Sequence, residues 1–267
     1  MSGFVARILG CGPSPGVPRI GNDWGNCDPA EPRNARSRCA LLVERRGESG
    51  AATRILVDTS PDMRVQLLAA AVDRIDAVLY THAHADHLHG IDDLRAFWMK
   101  TRRRVDVYAD QVTGARIIEA FAYCFRTPPG GTYPPILTMH EIAAYQPFAI
   151  DGPGGPIDVR PYRQAHGSIT TTLGFRFGGL AYSCDVSAID DQAEAALQDL
   201  DVWIVDALRR EPHPSHFSVD ETLAWIERLK PRRAILTHMD YSLDYETLRR
   251  DLPPHVEPAH DGMTVAF

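Results

Sequence analysis

No run of about 18 apolar residues occurs anywhere in the 267-residue sequence, so nothing in it asks for a helix that spans a bilayer. The opening Met1-Ser2-Gly3-Phe4-Val5-Ala6-Arg7 has neither a basic region nor an unbroken apolar stretch of the kind that directs export, and the expected location is the cytoplasm. Cysteine is sparse. The five residues (Cys11, Cys27, Cys39, Cys124, Cys184) are odd in number, scattered, and contain no CxxC pair, which suits reduced thiols rather than a disulfide framework. Basic charge is also in deficit: 28 Lys and Arg stand against 35 Asp and Glu, a formal charge of −7, so the bulk field disfavours long nucleic acid as a partner. Low-complexity tracts and short-period repeats are absent, and no linker divides the chain; one domain over residues 1–267 is expected.

What the sequence does contain is an alternation of short apolar runs with amphipathic stretches. Phe4 to Leu9, Cys39 to Glu44, Ile55 to Asp58 and Val78 to Thr81 read as strands. Helices follow: one from Pro61 with Ser60 as its cap, then His87 to Met99 and Gln111 to Tyr123. A second half repeats the theme with strands at Ile157 to Tyr162, Leu173 to Phe177, Leu180 to Cys184, Val202 to Asp206 and Ala234 to Thr237. Two similar halves imply two packed sheets in an α/β or α+β class. The Pro/Gly-rich stretches Thr127 to Pro135 and Asp151 to Pro156 read as loops.

The chemistry concentrates in Thr81-His82-Ala83-His84-Ala85-Asp86-His87, directly after the apolar Ala77 to Tyr80. Four ligand-type side chains crowd one strand-to-helix turn. Imidazoles and a carboxylate together suit borderline divalent metals such as Zn²⁺ or Mn²⁺, and each group would be penalised if buried without a partner.

This segment resembles the HxHxDH motif of the metallo-β-lactamase superfamily, and the resemblance extends through most of the chain. It implies a four-layer αββα sandwich with two divalent ions at one edge. His166, in Gln164-Ala165-His166-Gly167, matches a further metal histidine; Asp185, after Leu180 to Cys184, matches the bridging aspartate; His238, after Ala234 to Thr237, matches the last histidine. The resemblance then assigns His82, His84 and His166 to one ion, Asp86, His87 and His238 to the other, and Asp185 to both. Asp58, after Ile55-Leu56-Val57, matches an aspartate that orients the metal loop by hydrogen bonds. Redox di-iron members place a glutamate where this chain has His84, so hydrolysis is favoured. Only 52 residues separate Asp185 from His238, which leaves out the large insertion of some nuclease relatives.

His216 points towards phosphate chemistry. It precedes Phe217-Ser218-Val219-Asp220-Glu221, where Ser218 and Glu221 form a capping box and open a helix running through Trp225 to Lys230. A helix N-terminus attracts phosphate through free N–H groups and its dipole. The segment resembles the histidine motif of the phosphodiesterase branch, which includes tRNA 3′-processing endonucleases and phosphoribosyl cyclic phosphate phosphodiesterases. There such a histidine assists the leaving group or binds phosphate. The Gly10 to Arg19 loop resembles the same branch, but the cysteines and histidine of its structural zinc are missing: Cys27 stands alone, and Met239-Asp240-Tyr241 follows His238. No structural zinc is expected.

The resulting expectation is a dinuclear phosphodiesterase converting a small phosphodiester, a cyclic nucleotide or cyclic sugar phosphate, into a phosphomonoester. His216 would serve the departing oxygen, and Asp86 would help place the attacking hydroxide. The alternatives are a tRNA 3′-processing activity, a thioester or lactam hydrolase using the same metals, and a nucleotide-binding protein that turns over slowly. The sequence leaves the oligomeric state open; a homodimer is one possibility, as dimers are common among soluble enzymes.

Overall fold

The computed structural model describes residues 3–267. Six strands build the first sheet in chain order: β1 (Gly3–Gly10), β2 (Ala40–Arg46), β3 (Ala52–Val57), β4 (Ala77–Leu79), β5 (Val105–Ala109) and β6 (Leu137–Glu141). The second sheet takes β7 (Phe148–Ile150), β8 (Ile157–His166), β9 (Thr170–Phe177), β10 (Leu180–Ser183), β11 (Val202–Asp206), β12 (Arg233–Thr237) and β13 (Val256–Pro258). The last strand, β14 (Thr264–Ala266), returns to the first sheet and pairs with β1. The spatial orders are β14-β1-β2-β3-β4-β5-β6 and β13-β12-β11-β10-β9-β8-β7. Each sheet begins as an antiparallel meander and continues as parallel strands, so the two halves expected from the sequence are two sheets of like design.

Alternation along the strands explains how the sheets pack. In β2, Leu41 and Val43 enter the core between the sheets while Leu42 faces the helices outside. The inner core joins Ile8, Leu41, Val43, Ile55 and Val57 of the first sheet to Phe175, Phe177, Tyr182, Trp203 and Ile235 of the second. All five residues of β11 are buried, as expected of a central parallel strand covered on both faces. The outer layers are helical: α1 (Met63–Ala69), α2 (Ala85–Leu88), α3 (Arg95–Thr101), α4 (Gln111–Ala120) and α5 (Ala122–Phe125) belong to the first half, and α6 (Asp191–Ala196), α7 (Val219–Leu229) and α8 (Tyr245–Asp251) to the second. The fold is an α+β sandwich. No helix among the described residues is long and apolar enough to cross a membrane.

Three local expectations differ from the structure. Helix α1 begins at Met63 after Asp62, and Ser60 does not cap it: its hydroxyl donates to Gln66 and accepts the Asp62 N–H. The continuous helix from His87 to Met99 is instead α2, a 3-10 turn at Ile91–Leu94 and α3. The break falls at Gly90, where a Cβ would lie 2.1 Å from the Ser60 carbonyl oxygen. That close approach lets Gly90 N–H bond to Thr59 O and Thr59 N–H bond to His87 O, which ties the histidine turn to the loop after β3. Between Gln111 and Tyr123 the helix likewise divides into α4 and α5 at Phe121.

Candidate metal centre

The histidine turn, β8, β10, β11 and β12 all deliver their chemistry at one edge of the sandwich. Asp58, Asp185 and His238 each follow a strand and hold left-handed backbone, with φ of 64°, 55° and 58°. Asp and His are among the residues that tolerate this region, and non-glycine residues held there cluster at functional sites. Through these turns the strand ends redirect their side chains into a common space.

Asp185 occupies its centre. Its Oδ2 lies 3.6 Å from His82 Nε2 and 3.6 Å from His166 Nε2, while its Oδ1 lies 3.2 Å from both His87 Nε2 and His238 Nε2. Asp86 Oδ2 stands 3.4 Å from His87 Nε2 and 3.9 Å from His238 Nε2. His84, the one exposed member, offers a ring nitrogen within 4.8 Å of donors from His82, His166 and Asp185. The structure therefore brings together all seven residues selected from the sequence, with His82 and His166 nearest one Asp185 carboxylate oxygen and His87 and His238 nearest the other.

The outer ring nitrogens are held from behind. His87 Nδ1 pairs with Asp58 Oδ2 at 2.8 Å; Asp58 also accepts the Thr81 N–H and hydroxyl, each at 2.8 Å, and the same hydroxyl lies 3.0 Å from His82 Nδ1. His166 Nδ1 donates to Ser215 O at 2.7 Å. Each of these bonds fixes the ring with Nε2 turned inward. The inward Nε2 atoms of His82, His87 and His238 are buried and have no hydrogen-bond partner. Buried polar atoms are rarely left so, and this donor set of imidazoles and carboxylates is the kind that divalent metals satisfy.

Electrostatics agree. Burial and then the charge of His87 push the His82 imidazole well down, so it is neutral and free to ligate. Burial would lower His87 and His238 too, but Asp185 with Asp58 raises His87, and Asp185 with Asp86 takes His238 up to about 10. Burial would raise Asp86; the neighbouring His238 and His87 imidazoles hold it well below the carboxylate range instead. Without metal, protons occupy part of the site.

His216 lies beside the cluster, its ring stacked on His238 with centroids 4.7 Å apart and 4.7 Å from the His166 ring. It precedes α7, which the expected capping box of Ser218 and Glu221 opens. Asp206 was not selected from the sequence. At the end of β11 it accepts His216 Nδ1–H at 2.7 Å and Val186 N–H at 3.0 Å, while its Oδ1 stands 3.8 Å from His238 Nδ1. The available signal was an apolar strand ending in Asp, the pattern that marks Asp58 and Asp185. Cys184 donates its thiol to Asp185 Oδ1 at 3.1 Å. Cys27 is buried, with its thiol 3.5 Å from Leu243 O.

A profile of the beta-lactamase superfamily domain matches residues 53–239, from β3 to just past His238. The chain belongs to the metallo-β-lactamase superfamily. Its relatives include the PhnP family. It is similar to a crystal structure described as a new diphosphatase from the PhnP family, with 34% identity and a TM-score of 0.87 over 99% of this chain and 97% of that one. Among curated relatives it is 34% identical over 262 residues to a Porphyromonas gingivalis protein named octanoyltransferase. That match covers 96% of this chain and 50% of the relative, so the chain spans half the length of a protein whose name describes the whole. A ribonuclease Z of Bradyrhizobium is 40% identical over 78 residues, 28% of this chain and 24% of the relative.

Proposed function

We propose that this superfamily member is a dinuclear phosphodiesterase acting on a small phosphodiester, including one that contains a diphosphate. His82, His84 and His166 would hold one divalent ion, Asp86, His87 and His238 the second, and Asp185 both. Bound there, Zn²⁺ or Mn²⁺ supplies Lewis acidity towards a phosphoryl oxygen and lowers the pKa of water.

The observation that carries the phosphate reading is the pair of His216 and Asp206, stacked against His238 at the start of α7. Asp206 keeps the proton on Nδ1, so Nε2 is the atom left for substrate. In its doubly protonated form the ring would hold a phosphoryl oxygen by donating its Nε2–H or hand that proton to the departing alkoxide, returning to the neutral ring with its proton on Nδ1, a contribution on the order of 10² to 10⁴ in rate. A thioester or lactam carbonyl needs no such group. Asp86, kept ionised by its histidine neighbours, is placed to orient an attacking water by accepting its hydrogen bond. The description of the PhnP-family relative as a diphosphatase supports hydrolysis at phosphorus, and the net charge of −7 supports a small substrate over tRNA.

The test is steady-state hydrolysis of a chromogenic phosphodiester, a nucleoside diphosphate diester, 2′,3′-cyclic nucleotides and a thioester by the metal-loaded protein, with His216→Ala alongside. Turnover of a phosphate ester that falls at least a hundredfold in kcat in the variant is expected. Thioester turnover indifferent to the change would overturn the reading.

A further inference from the structure

At the end of the sandwich away from the metal edge, three arginines share one cavity with little acid to answer them. Arg45 near the end of β2, Arg160 near the start of β8 and Arg176 near the end of β9 line a cavity of about 410 Å³ with Phe4, Pro156 and Asp158. Both sheets contribute walls. Arg160 lies six residues before His166 on the same strand, and at about 3.3 Å per residue this places it roughly 20 Å from the metal edge.

Arg160 and Arg176 stand opposite each other as cross-strand partners in the β8–β9 ladder. Like charges in that position repel and weaken a sheet. Among the described residues none of the three arginines has a carboxylate within ion-pair distance. Arg176 spends its donors on the carbonyls of Gly178, Ala196, Gln198 and Asp199. Arg45 donates one Nη1 bond to Pro156 O, and its Nε is buried with no partner. The acids nearby are few: Asp158 lines the cavity, and Asp199 and Asp201 act on Arg176, with Asp201 already paired to Arg232 at 3.3 Å. Burial and then the charge of Arg160 lower the Arg176 guanidinium, which is the cost of gathering these cations.

We propose that this cavity is a binding site for a phosphate-class oxyanion, separate from the metal centre and independent of the function proposed above. The guanidinium fork matches phosphate oxygens two at a time and holds its charge at every physiological pH. Among the described residues Arg160 brings a whole fork without a protein partner, and Arg45 brings the buried Nε that lacks one. The anion would relieve the repulsion between Arg160 and Arg176 and would contact groups from both sheets, so its binding stabilises the folded chain. Free phosphate and the phosphoryl group of a nucleotide present the same chemistry.

Thermal unfolding of the metal-loaded protein tests the proposal, with inorganic phosphate, pyrophosphate and ADP titrated at ionic strength held constant by chloride. In the wild type, Tm rises with anion concentration as a ligand of the folded state requires. Arg160→Gln at an exposed side chain and Arg45→Gln at a half-buried one each weaken the response at least tenfold, Arg160→Lys restores part of it, and His216→Ala at the metal edge keeps it. ADP acting at tenfold lower concentration than phosphate identifies a nucleotide phosphoryl group as the natural anion; phosphate acting at equal or lower concentration identifies the free ion. A wild type that does not respond, or a response that survives both glutamine variants and disappears in His216→Ala, overturns the proposal.

Discussion

Asp206 and His216 form a buried carboxylate–imidazole pair, with Oδ2 and Nδ1 2.7 Å apart, beside the His238 and His166 rings of the metal edge. The pair acts as one device: the carboxylate sets which ring nitrogen carries the proton, and the imidazole meets the substrate. Asp206→Asn keeps the size and can still accept the Val186 N–H, but it no longer imposes that tautomer. A loss of about 10² to 10⁴ in kcat is expected, by analogy with the carboxylate of other catalytic pairs, and a smaller change in KM. Because the two residues work as a unit, Asp206→Asn combined with His216→Ala should be no slower than His216→Ala alone. Additive losses in that double-mutant cycle would contradict the pairing.

Asp58 holds the histidine turn by three bonds, to the His87 ring, the Thr81 N–H and the Thr81 hydroxyl. Its replacement by Ala should lower metal affinity by about 10- to 100-fold, as loss of a carboxylate behind a metal histidine commonly does. Competition with a chromophoric chelator measures this. Unchanged affinity would mean that the turn is organised without Asp58.

Much of the edge was legible because a metal site needs particular atoms and strand ends supply them. His82, His84, Asp86 and His87 are close in sequence, His166 ends a strand, and Asp185 and His238 each end an apolar run. Asp206 was missed although it ends one as well, since nothing local separates a carboxylate that orients an imidazole from one that caps a turn; the partner that gives it meaning is ten residues away across a loop. The interruption of the helix at Gly90 was equally hidden. It depends on the Ser60 carbonyl, thirty residues earlier, and not on the propensity of neighbouring residues. The edge strands β7, β13 and β14 have three residues each, too few for a period-two pattern to register.

Gly90 offers a stability test of that contact. A methyl at this position would meet the Ser60 oxygen at 2.1 Å, so either the loop after β3 or the histidine turn must move. Gly90→Ala is expected to destabilise the fold by about 2–3 kcal/mol, as overpacking does, and to weaken metal binding in parallel because Asp58 and His87 sit on the two displaced segments. Chemical denaturation of the chelated protein beside a metal titration reads both effects. Loss of stability with full metal affinity would sever the link.

Metal binding should release protons near neutral pH. His238, raised to about 10, and His87, also raised, are protonated in the metal-free protein at pH 7 and must lose those protons to ligate. The sign follows directly: apparent affinity strengthens as pH rises towards 10, by about tenfold per pH unit for each proton displaced. Calorimetry in buffers of different ionisation enthalpy counts the protons. No release at pH 7 would contradict the assignment of these two histidines.

The central claim is that Asp185 joins two ions, one on each of its carboxylate oxygens. The most direct measurement is the number of divalent ions per chain, by elemental mass spectrometry after equilibration with Zn²⁺ or Mn²⁺ and removal of free metal. Two ions per wild-type chain, falling to one or fewer in Asp185→Asn while the fold persists by circular dichroism, are predicted. One ion in the wild type, or two in the variant, would contradict the account.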